Sequence, residues 1–318
     1  MKRIATIGGG TGSYTVLSGL KTLPETSLSA IVTMADDGGS TGRLRWKWGV
    51  MPPGDVRQCL VALTGAEFLN RVVWGHKIGN LLIALSERIT GDFSTGLKIL
   101  SSVLRAKGEI FPVTKNDAVL CVKLKDGTLI RGESNIDRER MEGPDGETKI
   151  EKIFYENRVT LNPGAREAIL RADCIVIGPG NMYSSIVPNL ITEGFPDAIG
   201  KSNAEIVVLI NLVNKQGHTM GWNVKRHIDE TEKYMGRPAD VLLVNNEEFT
   251  DEQKERYLKD AGQDIFIKDD FEDPRIVRKE LLSKKVYDQD GKDSVRRSLI
   301  RHDPEKVARA ISDIIKKI

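Results

Sequence analysis

Four glycines crowd the run Gly8-Gly9-Gly10-Thr11-Gly12-Ser13, directly after the short apolar stretch Ile4–Ile7. Such a run lets the main chain turn tightly and approach an anion with no Cβ in the way. Val16, Leu17, Leu20 and Leu23 then recur at helical spacing, so the loop should open a helix whose amino end carries partial positive charge. The chemistry this suggests is phosphate binding by Gly9, Gly10, Thr11 and Gly12. The spacing is neither a Walker A loop, since no Gly-Lys-Ser/Thr follows, nor a full GxGxxG, since Ser13 takes the third glycine's place. A glycine turn that only packs helix on strand is the alternative.

The second run is Asp36-Asp37-Gly38-Gly39-Ser40-Thr41-Gly42-Arg43-Leu44-Arg45, read as a loop ending a strand at Ile31–Met34. An acid there accepts ribose hydroxyls in dinucleotide enzymes. Paired aspartates followed by Gly39, Ser40 and two arginines suggest a mixed role. Asp36 or Asp37 could hold a hydroxyl or Mg²⁺, the one candidate cofactor, while Arg43 or Arg45 clamps phosphate oxygens. A solvated polar turn would have a similar composition. Pro52-Pro53-Gly54-Asp55-Val56-Arg57 offers another acid and arginine at a helix start, with Asp55 as the expected N-cap. Gly75-His76-Lys77-Ile78-Gly79-Asn80 adds His76 and Asn80. Gly178-Pro179-Gly180-Asn181-Met182-Tyr183-Ser184-Ser185 is a further strand–loop–helix entry, whose amides and the hydroxyls of Tyr183 and Ser184 suit a second phosphate. Trp46, Trp48, Trp74 and Trp222 could stack a base, but buried packing is expected for most of them.

The elements that would position these loops alternate. Strand, helix and strand fill the first forty residues, and helices are predicted at 55–70, 79–89 and 94–106. Val119–Leu124 and Thr128–Glu133 flank Lys125-Asp126-Gly127 as a hairpin, followed by an exposed loop from Asp137 to Thr148. The block 118–161 reads as a β-rich insertion in a single α/β domain spanning 1–318. Beyond it come a helix at Gly164–Arg171, a strand at Cys174–Ile177 and a helix from about Ser184. A strand at Ile206–Asn211, a helix at Val224–Met235 and a strand at Val241–Asn245 follow, then helices at about Asp251–Asp260, Pro274–Ser283 and Asp303–Lys317. The pattern predicts a three-layer α/β/α Rossmann-like, mainly parallel sheet.

The 318 residues carry 47 basic and 45 acidic side chains, a net charge of +2, with 6% aromatics. That balance gives no global drive toward nucleic acid or an anionic membrane. Cys59, Cys121 and Cys174 are odd in number and far apart, which suits buried reduced thiols. The four histidines lack zinc spacing, and no GxSxG elbow is present. Met-Lys-Arg runs straight into a strand too brief for a signal-peptide core, and no apolar run approaches a membrane span. The cytoplasm is the expected compartment.

Taken in order, several runs resemble the CofD/YvcK-like family. They are Gly8–Gly12, Ala35–Ser40, Gly42–Arg45, Pro52–Asp55 and Gly79–Leu82, then Ile177–Gly180, Ser184–Ile186 and Pro188–Leu190. One branch of that family is the 2-phospho-L-lactate transferase, which uses a nucleotide-activated phospholactate and Mg²⁺. The other is the gluconeogenesis-factor branch, whose members bind UDP-sugars and are tied to carbon metabolism, cell shape and envelope synthesis. The arginine-bearing Gly39–Arg45 run, Pro52–Asp55 and Arg301-His302-Asp303-Pro304 look like the second branch. The resemblance implies a regulatory protein that binds a nucleotide-diphosphate sugar, with Asn214 and Arg301 added to the site. It also implies homo-oligomers or protein partners in envelope synthesis, with no membrane insertion. Two departures stand out. His76-Lys77-Ile78-Gly79-Asn80 has an extra residue and charge, and His218 replaces an acid.

Overall fold

The computed structural model describes residues 1–143, 147–261, 265–285 and 299–317. The chain opens with β1 (Lys2–Gly8), α1 (Gly10–Leu20) and β2 (Thr26–Val32). Then come α2 (Gly39–Trp48), α3 (Gly54–Thr64), a small hairpin of β3 (Val72–Val73) and β4 (His76–Lys77), α4 (Ile78–Thr90), α5 (Phe93–Val103) and β5 (Glu109–Pro112). β6 (Leu120–Leu124), β7 (Leu129–Arg131), the short helix α6 (Glu133–Arg138) and β8 (Ile150–Tyr155) follow. The rest runs through α7 (Pro163–Arg171), β9 (Cys174–Ile177), a wide helical turn at Met182–Ile186, α8 (Val187–Leu190), α9 (Phe195–Lys201) and β10 (Glu205–Leu209). It ends with α10 (Val224–Met235), β11 (Val241–Asn245), α11 (Asp251–Ala261), β12 (Ile276–Lys279) and α12 (Pro304–Ile315).

Seven strands form one parallel sheet in the order β12-β11-β10-β9-β1-β2-β5. From β1 the chain first winds toward β2 and β5. From β9 it winds the other way, through β10 and β11 to β12. Winding in opposite directions from the centre is the arrangement that places helices on both faces of a parallel sheet. The central strands read as continuous apolar runs because both faces are covered: Cys174–Ile177 is buried throughout, and Ile206–Leu209 likewise. Their side chains join those of α1, α3 and α12 in the main apolar core. The antiparallel sheet β7-β6-β8 is separate and has its own core with Met182, Tyr183 and Trp222. The Tyr155 hydroxyl donates to the Pro188 carbonyl at 2.6 Å, tying that sheet to α8.

Several sequence expectations need correction. The stretch 274–283 holds strand β12 at Ile276–Lys279 and no helix: Ile276 and Val277 pair with β11, and β-branched side chains at the edge of a parallel sheet outweigh a helical reading. The loop expected from Asp36 becomes helix α2 at Gly39. Its two glycines, two tryptophans and sparse apolar residues hid it, and Gly49 (φ 62°) stops it. Strand β5 falls in a stretch where no element was expected. Residues 137–148 are not simply an exposed loop, since α6 runs to Arg138 and Met141 and Glu142 are buried; residues 144–146 lie outside the described ones. Only Trp222 of the four tryptophans is buried, while Trp46, Trp48 and Trp74 are exposed. The three cysteines are buried and free. Among the described residues no helix is long and apolar enough to cross a membrane.

Candidate functional site

The crevice of interest lies between the carboxyl ends of β1 and β9, where the winding of the sheet reverses. Gly9 alone joins β1 to α1, and Gly10 enters the helix at φ 57°. Gly9 offers no side-chain cap, and the first turn of α1 contains no acid of its own. A helix end of this kind favours a bound anion. On the other side, Gly178 (φ 79°), Pro179 with a cis peptide bond, and Gly180 leave β9. The two loops touch. A Cβ on Gly12 would lie 1.8 Å from the Pro179 carbonyl oxygen, so the contact requires glycine. Asn211 braces the second loop, accepting from the Gly180 amide at 3.0 Å and donating to its carbonyl at 2.8 Å.

Carboxyl groups from three further segments converge here. Asp55 sits in the first turn of α3, where Pro53 rather than Asp55 is the cap residue. Its carboxylate turns instead toward the first loop, and a Cβ on Gly9 would come within 2.3 Å of Oδ2. Asp36 accepts from the Gly38 amide at 2.9 Å and packs against Gly54, whose added Cβ would meet Oδ2 at 2.2 Å. Asp37 accepts from the Ser134 amide at 2.8 Å and so draws α6 to the site. That brings in Glu133 and Asp137, which sequence reasoning missed. Asp137 accepts from Asn181 Nδ2 at 2.6 Å and Ser184 Oγ at 3.3 Å, and pairs with Lys215.

This clustering has an electrostatic signature. Burial raises the Glu133 pKa well above the usual glutamate value, and the charges of Asp36, Asp137, Asp55 and Asp37 push it the same way. Burial also raises Asp36, with a smaller contribution from Asp37. Glu133 therefore keeps its proton where an ordinary glutamate would have lost it. Asp36 and Asp37 do not meet a third Asp, Glu, His or Cys as a preformed metal site would require: among the described residues no such group of three exists.

The remaining candidates divide into two groups. Ser40, His76 and Asn80 form a polar edge beside α2, with Ser40 Oγ 2.9 Å from His76 Nδ1 and Asn80 Nδ2 donating to Ser40 at 3.1 Å. Burial, then Arg43 and Lys47, lower the His76 pKa. Arg43 is exposed and bonds the Gly75 carbonyl. Arg57, missed as a framework residue, is buried and donates to Asn80 Oδ1 at 2.9 Å and to Asn70. Arg45 is committed to structure, bonding Asp117 and the carbonyls of Asp36 and Ala118. Tyr183 is buried in the second core, its hydroxyl 3.4 Å from Glu230. Asn214 is also buried, donating to the Trp222 carbonyl at 3.0 Å and facing His227 Nε2 at 2.9 Å. Arg301 lies on a segment whose main chain pairs with Ser283 and Leu281, alongside the end of β11 at Asn245. His218, in the acid's place, is fully buried. Burial and then Lys215 lower its pKa to about 4.

Fold and loop placement define a doubly wound α/β protein with a glycine-walled, carboxylate-rich crevice at its switch point. The family model described as "2-phospho-L-lactate transferase CofD" matches residues 4–287, and the chain belongs to that family. It is 36% identical to the "Gluconeogenesis factor" of Halalkalibacterium halodurans, over 98% of this chain and 95% of that protein. It is 33% identical to the "Gluconeogenesis factor" of Bacillus subtilis, over 99% and 98%. The crystal structure of a UPF0052 family member from Bacillus halodurans superposes with a TM-score of 0.83 at 33% identity, covering 98% of each chain.

Proposed function

We propose that this protein binds a nucleotide-diphosphate sugar, a UDP-sugar foremost, in the crevice between β1 and β9. It would act as a cytoplasmic regulator in carbon metabolism and envelope synthesis. The observation that carries the reading is the glycine-lined amino end of α1 at the switch point, uncapped by any side chain and packed against the Gly178–Gly180 loop. In this reading the amides at the amino end of α1 hold the diphosphate. The carboxyl oxygens of Asp36 and Asp55 accept hydrogen bonds from sugar or ribose hydroxyls. Arg43 and the polar edge Ser40–His76–Asn80 supply positive charge and donors on the α2 side.

A diphosphate entering beside four other carboxyls meets repulsion, and the raised Glu133 pKa points to how that is relieved. A protonated Glu133 carries no charge and gains a donor. The test of the reading is a thermal-stability screen across UDP-sugars, GDP derivatives and dinucleotides. A ligand at about 100 times its dissociation constant adds roughly 2.7 kcal/mol. A UDP-sugar should raise the melting temperature and NAD should not; a shift with NAD alone would overturn the assignment.

The family model itself favours a second reading, transfer of a phosphorylated hydroxy acid from a nucleotide diphosphate to an acceptor alcohol. Asp36 and Asp55 would then be the groups placed to take the acceptor's proton. Mass spectrometry of a deazaflavin acceptor after incubation with activated phospholactate and Mg²⁺ separates the two. Product accumulating over many enzyme equivalents, and lost in a folded Asp36→Asn variant, would establish the transferase.

A further inference from the structure

We propose that the face made by α2 and the β3–β4 hairpin docks on an anionic lipid surface. The hairpin closes in two residues: Val73 pairs with His76, and Trp74 (φ 50°) and Gly75 (φ 76°) between them both take left-handed backbone angles. Such a turn favours Asn or Gly at the first of those positions, and a bulky side chain there is strained. Trp74 nevertheless occupies it. The side chain is 91% exposed, so almost no packing within the protein offsets the strain. Strain that the fold does not use points to a use outside the fold. Val72 and Val73, which lead into the turn, are exposed as well.

Helix α2 lies beside this tip. Arg43 bonds the Gly75 carbonyl, and Ser40 Oγ is 2.9 Å from His76 Nδ1. Arg43, Trp46 and Lys47 stand three and four positions apart, so they share one face of the helix. Leu44, on another face, is buried with Val50, Leu81 and Ala84 and fixes α2 on α4. Trp46 is left 84% exposed, and Trp48 at the end of the helix is exposed too. Arg43 thus links a bare indole on the helix to a bare indole on the hairpin.

The charge on this face is of one sign. Neither α2 nor the stretch 68–86 contains an Asp or Glu. Arg43 and Lys47 on the helix, with Arg71 and Lys77 at the base of the hairpin, have no ion-pair partner among the described residues. The whole-chain charge of +2 hides this local excess. Tryptophan interleaved with Lys and Arg suits the interfacial zone of an anionic bilayer, where indoles sit at headgroup level and cations meet lipid phosphates. The centre of a protein interface is depleted of charge instead. A single-stranded nucleic acid is held by aromatics set along a groove. Here the indole follows two valines at a hairpin tip, and aliphatic side chains seat in the acyl boundary rather than on bases. Such docking is interfacial and needs no spanning helix. The hairpin carries His76 to Ser40, so docking would lay that edge of the crevice beside the headgroups, whatever the crevice holds.

Cosedimentation of the purified full chain with vesicles tests this. Vesicles of equal parts phosphatidylglycerol and phosphatidylcholine should carry the protein down at low salt, and phosphatidylcholine alone should not. Binding should weaken as salt rises and screens the attraction. Trp74→Asn should weaken it by at least about tenfold through lost apolar contact. The same variant should keep or raise the melting temperature, because asparagine tolerates the left-handed angle. Lys47→Gln combined with Arg71→Gln should weaken binding about 25-fold, about fivefold for each cation. Leu129→Ala, on the separate β7 strand, should bind as the wild type does. Tryptophan emission gives a readout free of variants: it should shift to the blue with anionic vesicles, since only Trp222 is already buried. A wild type left in the supernatant by anionic vesicles would overturn the proposal. So would equal binding to neutral vesicles, binding undiminished in Trp74→Asn, or an emission shift given by a single-stranded oligonucleotide and not by vesicles.

Discussion

Replacing Glu133 with glutamine removes a titrating group and keeps its shape, so the effect of its raised pKa can be read as stability. A carboxyl whose folded pKa exceeds its unfolded value leaves the folded state holding the extra proton between the two. Stability contributed by that proton is present at low pH and is lost as pH rises from the ordinary glutamate range through the raised pKa. For one proton the loss proceeds at up to about 1.4 kcal/mol per pH unit. Three buried histidines act in the opposite direction: burial lowers His218 and His302 to about 4 and His227 to about 3, so acid destabilises through them. The difference between wild type and Glu133→Gln cancels those terms. Urea unfolding of the ligand-free proteins across pH 4.5–8.5 is the assay, a span of about four units around the ordinary carboxylate and histidine ranges. The variant should gain on the wild type steadily with pH, then level off once Glu133 ionises. A difference that is flat across pH, or one that grows toward acid, would refute the carboxylate cluster as the cause.

Other expectations are more local. Gly12→Ala drives a Cβ into the Pro179 carbonyl, so nucleotide-sugar affinity should fall by at least about tenfold in calorimetry, with a lower melting temperature from the parted loops. Arg57→Ala leaves the buried Asn80 without its 2.9 Å partner and should cost about 1–3 kcal/mol in denaturant unfolding. Arg43→Ala, at an exposed position, should weaken nucleotide binding about tenfold, as loss of a charge-assisted bond would, with the ligand-free melting temperature nearly unchanged. A large drop in ligand-free stability would make Arg43 a framework residue instead.

The parallel sheet and its loops were legible because central strands advertise themselves: Cys174–Ile177 and Val241–Asn245 match their predicted bounds, as does the helix Val224–Met235. Where local signals conflict with tertiary context, the reading fails. Ile276–Lys279 holds two β-branched residues, too short a signal by itself, and becomes a strand because β11 offers it a partner. The glycine loops were readable from composition, and their mutual contact was not, since Gly12 and Pro179 are brought together only by the pairing of β1 with β9. Glu133 and Asp137 were invisible for the same reason. They are held at the crevice by contacts far apart in sequence, Ser134 to Asp37 across ninety-seven positions and Asp137 to Asn181 and Ser184. The exposed Trp46, Trp48 and Trp74 run against the burial expected of most tryptophans.

Hydrogen exchange of the purified protein with and without a saturating UDP-sugar tests the central claim most directly. Binding across the switch point should slow exchange in both glycine loops together, residues 8–13 and 178–184, with no change in the β6–β7 hairpin at 124–129. Ligand that binds by calorimetry yet protects neither loop would contradict a nucleotide site between β1 and β9.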